Sequence, residues 1–130
     1  MHSLSLDDLL DCDYVDGGRY APKLDCWGIV RIVYFRIHGV RLPMLDRLRA
    51  HSIREKTLAH RDMIDRLSKT KPTHGAIAAA ITGKLCEHVG IVINVCGDLR
   101  VLEITPMTGV RALPLKEFEA LSHVEYYTYN

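Results

Sequence analysis

The stretch over residues 24–39 constrains the fold most, because it predicts a helix that begins at a cysteine. Asp25 is a favourable N-cap residue, since its carboxylate can accept a hydrogen bond from a free backbone N–H. Gly39 is favourable just after the last turn, where a positive φ ends a helix. The β-branched and aromatic residues between them favour a strand. The two caps and the length of the run nevertheless indicate a helix.

The position of Cys26 in the first turn of this helix has two interpretations. The positive end of the helix dipole favours a thiolate over a thiol, and the thiolate is the nucleophilic form of cysteine. Alternatively, Cys26 is a small apolar residue packed beneath the helix, since free cysteines are among the most buried residue types. Without a partner for the thiol, both interpretations stay open.

Length and charge exclude several classes of protein. A chain of 130 residues is typical of one domain, here residues 1–130, with a core of its own. A net charge of +1 favours no nucleic-acid partner, and no apolar run is long enough for a membrane span. The first residues lack the pattern of a signal peptide, which predicts a protein made in the cytoplasm.

The four cysteines predict free thiols rather than a metal centre. They show no C-x-x-C spacing, and free thiols are the default in a reducing compartment. A zinc site built from Cys86, His88 and Cys96 would match no common ligand spacing. We therefore expect neither a metal ion nor an organic cofactor.

Helical patterns precede strand patterns along the chain. The helical segments are residues 4–10 and 44–69, and a loop over residues 13–22 leads into the helix at Cys26. The strands are residues 75–81, 88–93, 99–104, 110–113 and 123–129, with a short helix at 115–121 that has Pro114 at its first position. This order predicts an α+β fold, with the helices packed on one side of an antiparallel meander.

His88 is the best candidate for the base that a cysteine nucleophile requires. It begins a strand, and Gly90 lies two residues further on the same face, which leaves room beside the imidazole. His74, in a loop, is a weaker candidate. The other five histidines fall in polar, terminal or helix-end positions.

Glu103 is placed to orient His88 if the hairpin between them has the right register. A four-residue turn at 94–97 puts the two residues directly opposite each other, roughly 5 Å apart at Cβ. A two-residue turn at 97–98 separates them by about 13 Å along the strand. The sequence does not choose between these registers, and Glu103 is equally well explained as a solvated carboxylate.

Tyr14 lies in the loop that leads into the cysteine helix. Its phenol could donate a hydrogen bond to an oxyanion formed near Cys26. The structural alternative is a ring that packs on the protein while its hydroxyl contacts water.

Three motifs in order resemble the NlpC-type cell-wall cysteine endopeptidases. They are Tyr-Val-Asp-Gly-Gly at 14–18, Asp-Cys-Trp-Gly-Ile-Val at 25–30 and His-Val-Gly-Ile at 88–91. The resemblance implies a papain-like fold, with Cys26 as nucleophile and His88 as general base. It also implies a third polar residue, which falls on Glu103, and an oxyanion and substrate region that contains Tyr14, Asp25 and Trp27.

The family resemblance also implies a function. Family members cleave amide bonds in peptidoglycan stem peptides without a cofactor. Trp27, where serine is common, resembles the versions found in phage and prophage tails, which implies assembly with other tail proteins in a virion. The alternatives are an inactive tail-assembly or tail-tip component that retains the fold, and an amidase or acyltransferase of the same superfold.

Overall fold

The described structure is a mixed α+β fold, as predicted. A computed structural model describes residues 4–44, 66–83 and 85–130. In chain order its elements are a 3₁₀ turn (Asp7–Leu9), β1 (Asp13–Tyr14), β2 (Arg19–Tyr20), β3 (Lys23–Leu24), α1 (Cys26–His38), β4 (Leu67–Lys69), β5 (Ile77–Thr82), β6 (Leu85–Val95), β7 (Asp98–Thr105), β8 (Gly109–Pro114), α2 (Leu115–Leu121) and β9 (His123–Tyr129). Neither α1 nor α2 has the length and apolar character to cross a membrane.

Helix α1 has the ends predicted from the sequence. The Asp25 carboxylate accepts a hydrogen bond from the Gly28 N–H at 2.8 Å. Gly39 follows the last turn with φ +70°, and its N–H bonds to the Phe35 carbonyl. The residues that favour a strand, such as Ile29 and Val33, are fully buried against the sheet. Capping and burial therefore override strand propensity here.

The larger sheet holds six strands in the order β4-β9-β5-β6-β7-β8, and all its pairs are antiparallel. Strands β5 to β8 form the predicted meander, since each pairs with the next. Strand β9 returns to lie between β4 and β5. The smaller sheet joins the two-residue strands β1, β3 and β2, so the predicted loop over 13–22 is wrong in part.

The helices cover opposite faces of the larger sheet, and the prediction that they share one side is wrong. One face packs Ile91 and Leu102 against α1, and the other packs Val92 and Val101 against Phe118 of α2. Successive residues of a strand point to opposite faces. Because apolar residues occupy both sets of positions in β6 and β7, both faces need a cover.

Three other boundaries differ from the predictions. Residues 4–10 contain only the 3₁₀ turn Asp7–Leu9, and Leu67–Lys69 form a strand rather than the end of a helix. Pro114 is the N-cap of α2 and not its first residue. Residues 45–65, which make up most of the second predicted helical segment, lie outside the described residues.

The hairpin of β6 and β7 has neither of the two registers considered from the sequence. Val95 pairs with Asp98, so Cys96 and Gly97 alone form the turn, with φ of +53° and +87°. Two positive φ values are typical of the type I′ turn, whose twist matches that of paired strands. Glycine adopts this conformation without a steric penalty.

Candidate active site

The start of α1 is fixed by a buried ion pair. Asp25 and Arg19 have side chains 2 % and 6 % exposed, and the Arg19 guanidinium donates to Asp25 Oδ2 at 2.6 Å. The same oxygen accepts the Gly17 N–H at 3.1 Å, while Oδ1 accepts the Gly28 N–H. Asp25 therefore binds the loop before α1 to the first turn of the helix. These contacts give it a positioning role, and a role in substrate binding stays a prediction.

Two glycines allow this loop to approach the helix closely. A Cβ at Gly28 would lie 2.2 Å from the Gly18 carbonyl oxygen, and a Cβ at Gly18 would lie 2.5 Å from the Lys23 carbonyl oxygen. Backbone atoms cannot yield to such contacts as the end of a flexible side chain would. Gly18 of the 14–18 motif and Gly28 of the 25–30 motif are thus explained by close backbone packing at the start of α1.

The thiol of Cys26 interacts with the imidazole of His88, although Cys26 is only 7 % exposed. His88 Nε2 also lies 2.8 Å from Glu103 Oε1. Burial of the imidazole opposes its protonation, but the hydrogen bonds to Cys26 and Glu103 more than offset this and raise the pKa of His88 to about 9. The raised pKa favours the imidazolium form of His88, and an imidazolium stabilises a neighbouring thiolate.

Strand register explains how Glu103 reaches His88. Ile91 opposes Leu102, so the same register continued by one residue puts Gly90 across from Glu103 and leaves His88 on the diagonal. Diagonal neighbours are within reach of long side chains. A Cβ at Gly90 would lie 2.5 Å from Val101 Cγ1 and 3.5 Å from Glu103 Cβ. The sequence predicted this contact only for a four-residue turn, and the contact forms although both registers considered were wrong.

Arg111 is a residue of this cluster that sequence reasoning missed. It opposes Glu103 in the β7–β8 pair, and its Nε donates to Glu103 Oε2 at 2.6 Å. Burial favours the neutral acid, but the bonds from His88 and Arg111 prevail and lower the pKa of Glu103. The turn between Thr105 and Gly109 could have identified Arg111, because this turn sets the register of the β7–β8 pair and so the residue opposite Glu103.

Tyr14 and Trp27 both lie beside the start of α1. Tyr14 has a raised pKa because of its burial, the nearby Cys26 charge and a hydrogen bond from its hydroxyl to Asp16. Trp27 is 3 % exposed, and its indole N–H donates to the Pro43 carbonyl at 2.8 Å. An indole has one donor, so this bond anchors the segment after α1. Roles for Tyr14 and Trp27 toward an oxyanion or substrate stay predictions.

A cavity of about 230 Å³ opens beside His88 and Glu103. The other lining residues are Ala80, Thr82, Glu87, Phe118, Leu121 and Ser122. The cavity thus combines the apolar side chains of α2 with hydroxyl groups and a carboxylate, next to the imidazole.

Two of the other histidines have structural contacts. His74 Nδ1 accepts the Asn94 N–H at 2.9 Å, and His38 Nε2 lies 2.9 Å from the Gly75 carbonyl oxygen. His123 is exposed. The remaining histidines, His2, His51 and His60, lie outside the described residues. Within the described ranges, then, His88 is the histidine whose pKa is affected by Cys26.

Across residues 4–44, 66–83 and 85–130, no cluster of three or more His, Cys, Asp or Glu side chains is arranged to hold a metal ion. Of the cysteines considered for zinc, Cys96 lies exposed in the β6–β7 turn and Cys86 near the start of β6. Comparison of the whole chain with models of protein families and with curated protein sequences finds no match.

Proposed function

We propose that this protein is a cysteine hydrolase with a papain-like, NlpC-type fold that cleaves amide bonds in peptidoglycan stem peptides. One observation carries the proposal: a cysteine in the first turn of a helix interacts with a histidine whose Nε2 lies 2.8 Å from a buried carboxylate. Nucleophile, base and orienting group in contact are the arrangement that cysteine hydrolases require.

The proposed reaction has two steps. The Cys26 thiolate attacks the amide carbonyl, and the His88 imidazolium gives its proton to the departing amine. Water then attacks the acyl-enzyme while His88 accepts its proton, which releases the acid and restores the thiolate. The N–H groups of Cys26 and Trp27 precede the first backbone bond of α1, from Ile29 to Asp25. Free N–H groups at a helix start suit a developing oxyanion.

The choice of substrate rests on the three motifs, and the cavity beside His88 agrees with a peptide ligand. Phe118 and Leu121 offer an apolar wall, while Glu87 and Thr82 offer polar groups that already bond to each other at 3.0 Å. We propose that the protein is made in the cytoplasm and acts on the cell wall as part of a phage or prophage tail.

Digestion of purified peptidoglycan tests the proposal. The protein should release peptides with new amino groups, detectable by mass spectrometry. Cys26→Ala should abolish this release, and Cys96→Ala, which alters an exposed thiol in a distant turn, should leave it intact. No release by the unaltered protein, or equal release by the Cys26→Ala variant, would contradict hydrolysis at Cys26.

The low exposure of Cys26, 7 %, favours one alternative. In this second proposal the protein is a structural component of a phage tail that retains the fold and an occluded site. Iodoacetamide distinguishes the two functions, because an occluded Cys26 should stay unmodified in the folded protein while Cys96 is alkylated. Modification of Cys26 would count against the structural alternative.

A further inference from the structure

We infer that a cleft on the outer side of α1 binds an oxyanion, a phosphate or carboxylate group. This arginine cleft, of about 200 Å³, is lined by Arg19, Arg31, Arg36 and Arg41 together with the rings of Tyr20 and Phe35. It does not include Cys26 or His88, and the inference does not depend on the proposed hydrolysis.

The charges of the arginine cleft are only half neutralised by the described carboxylates. Arg36 pairs with Asp8 through bonds of 2.8 and 2.6 Å, and Arg19 pairs with Asp25. In the ranges 4–44, 66–83 and 85–130, no carboxylate pairs with Arg31 or Arg41. Two guanidinium groups therefore face one cavity with their charges uncompensated by this part of the chain.

Both guanidinium groups are held in place before any ligand arrives. Arg31 Nε donates to the Leu42 carbonyl at 2.9 Å, which leaves its two terminal nitrogens for another acceptor. Arg41 stacks over Phe35, with its guanidinium carbon 5.2 Å from the ring centroid. Guanidinium groups bind phosphate and carboxylate through paired N–H donors. A fixed pair of them therefore binds an oxyanion with little further loss of side-chain entropy.

Repulsion within the arginine cleft supports the same inference. Burial, together with the charges of Arg19 and Arg41, lowers the pKa of Arg31. An anion between these groups would replace repulsion with attraction. Tyr20 is 72 % exposed and Phe35 43 % exposed, so the cleft also offers rings to an apolar body. The expected ligand is an oxyanion attached to such a body.

Titration with phenyl phosphate, benzoate and inorganic phosphate at constant ionic strength tests the inference. Calorimetry should detect binding of phenyl phosphate or benzoate, and the tighter of the two identifies the ligand as a phosphate or a carboxylate. Inorganic phosphate should bind more weakly than phenyl phosphate, because it lacks the ring. Each of Arg31→Gln and Arg41→Gln should weaken binding about tenfold or more, since a hydrogen bond to a charged group is lost.

Arg100→Gln is the matched control, because Arg100 pairs with Asp98 on β7, at 3.1 Å, away from the cleft. It should leave the affinity unchanged. If Arg31→Gln unfolds the protein, Arg41→Gln still decides, since Arg41 is exposed. The inference is overturned if neither ring compound binds the unaltered protein, or if Arg41→Gln and Arg100→Gln bind equally well.

Discussion

Two buried carboxylates, Asp25 and Glu103, have similar burial and an arginine partner each, but they bind different further groups. Each is 2 % exposed, and each accepts a hydrogen bond of 2.6 Å from an arginine. The second oxygen of Asp25 binds a backbone N–H, whereas that of Glu103 binds the imidazole of His88. Asp25 therefore orders the chain around Cys26, and Glu103 orders a single side chain.

The arginine partners differ as well. Arg19 is 6 % exposed, but Arg111 is 39 % exposed at its side chain. An arginine that loses its partner can be hydrated at position 111 and cannot be hydrated at position 19. The difference separates a pair that stabilises the fold from a pair that tunes the imidazole, and five experiments test the roles of these groups.

Asp25→Asn should have the largest effect, a loss of about 3–5 kcal/mol in the free energy of unfolding, because it removes the negative charge that faces the buried Arg19 guanidinium. Urea denaturation measures the loss. Glu103→Gln should cost clearly less, and Asp8→Asn, which breaks the exposed pair with Arg36, should change little. Equal losses for Asp25→Asn and Glu103→Gln would remove the distinction between the two carboxylates.

Glu103→Gln should instead lower kcat/KM for peptidoglycan hydrolysis about 100-fold, because an amide can orient His88 but cannot stabilise its charge. Steady-state assays on a soluble stem peptide would measure it. Lys69 forms an exposed ion pair with Glu125 on the distant β4–β9 pair, so Glu125→Gln is a suitable control. An unchanged rate for Glu103→Gln would show that another group orients His88.

The pH profile should show a smaller effect. Hydrolysis requires the imidazolium, so the rate should fall as the pH rises through the His88 pKa of about 9. Arg111→Gln removes a cation that neutralises part of the Glu103 charge, so this descending limb should move to higher pH, because the carboxylate then holds the proton on His88 more strongly. An identical limb in both proteins would mean that Arg111 does not act through Glu103.

The raised pKa of His88 and the lowered pKa of Glu103 also make the free energy of unfolding depend on pH. The His88 pKa is raised above its ordinary value of 6.5, so its contribution is fully present below that value and is lost as the pH rises through about 9. The Glu103 pKa is lowered, so its contribution is lost as the pH falls through the folded-state value. Unfolding measured between pH 6 and pH 10 covers the range in which the His88 contribution is lost.

Alkylation should show the smallest effect. His88→Ala should slow the reaction of Cys26 with iodoacetamide severalfold, because the neighbouring imidazolium is lost. Cys12 should react slowly in both proteins, since burial and the charges of Asp8, Asp13 and Asp11 raise its pKa. Peptide mass spectrometry over a time course follows all four cysteines, with exposed Cys96 as the internal reference. A Cys26 rate that does not depend on His88 would contradict the assigned contact.

Sequence patterns predicted those helices and strands whose formation depends on residues close together in the chain. The caps of α1 and the strand pattern of β9 depend only on residues that are close in the sequence, and both elements were predicted correctly. Strands β1 to β3 have two residues each and exist only because the chain folds back on itself. No periodic pattern can reveal an element of that length.

The candidate site was predictable in its residues and not in its geometry. Cys26, His88 and Glu103 were proposed from their places on a helix and two strands and from the family resemblance, and the structure shows interactions of His88 with both other residues. The turn at Cys96–Gly97 was missed, because cysteine is not a typical residue at a positive φ. Arg111 was missed because its position depends on the register of a second hairpin.

The place of β9 in the larger sheet affects the order in which the protein can fold. Strands β5 to β8 leave the ribosome before β9 and can pair in sequence, but β5 keeps one edge open until β9 arrives to lie between it and β4. An open edge is a template for pairing with another chain. Newly made chains are therefore most prone to aggregate in the interval between the synthesis of β8 and that of β9.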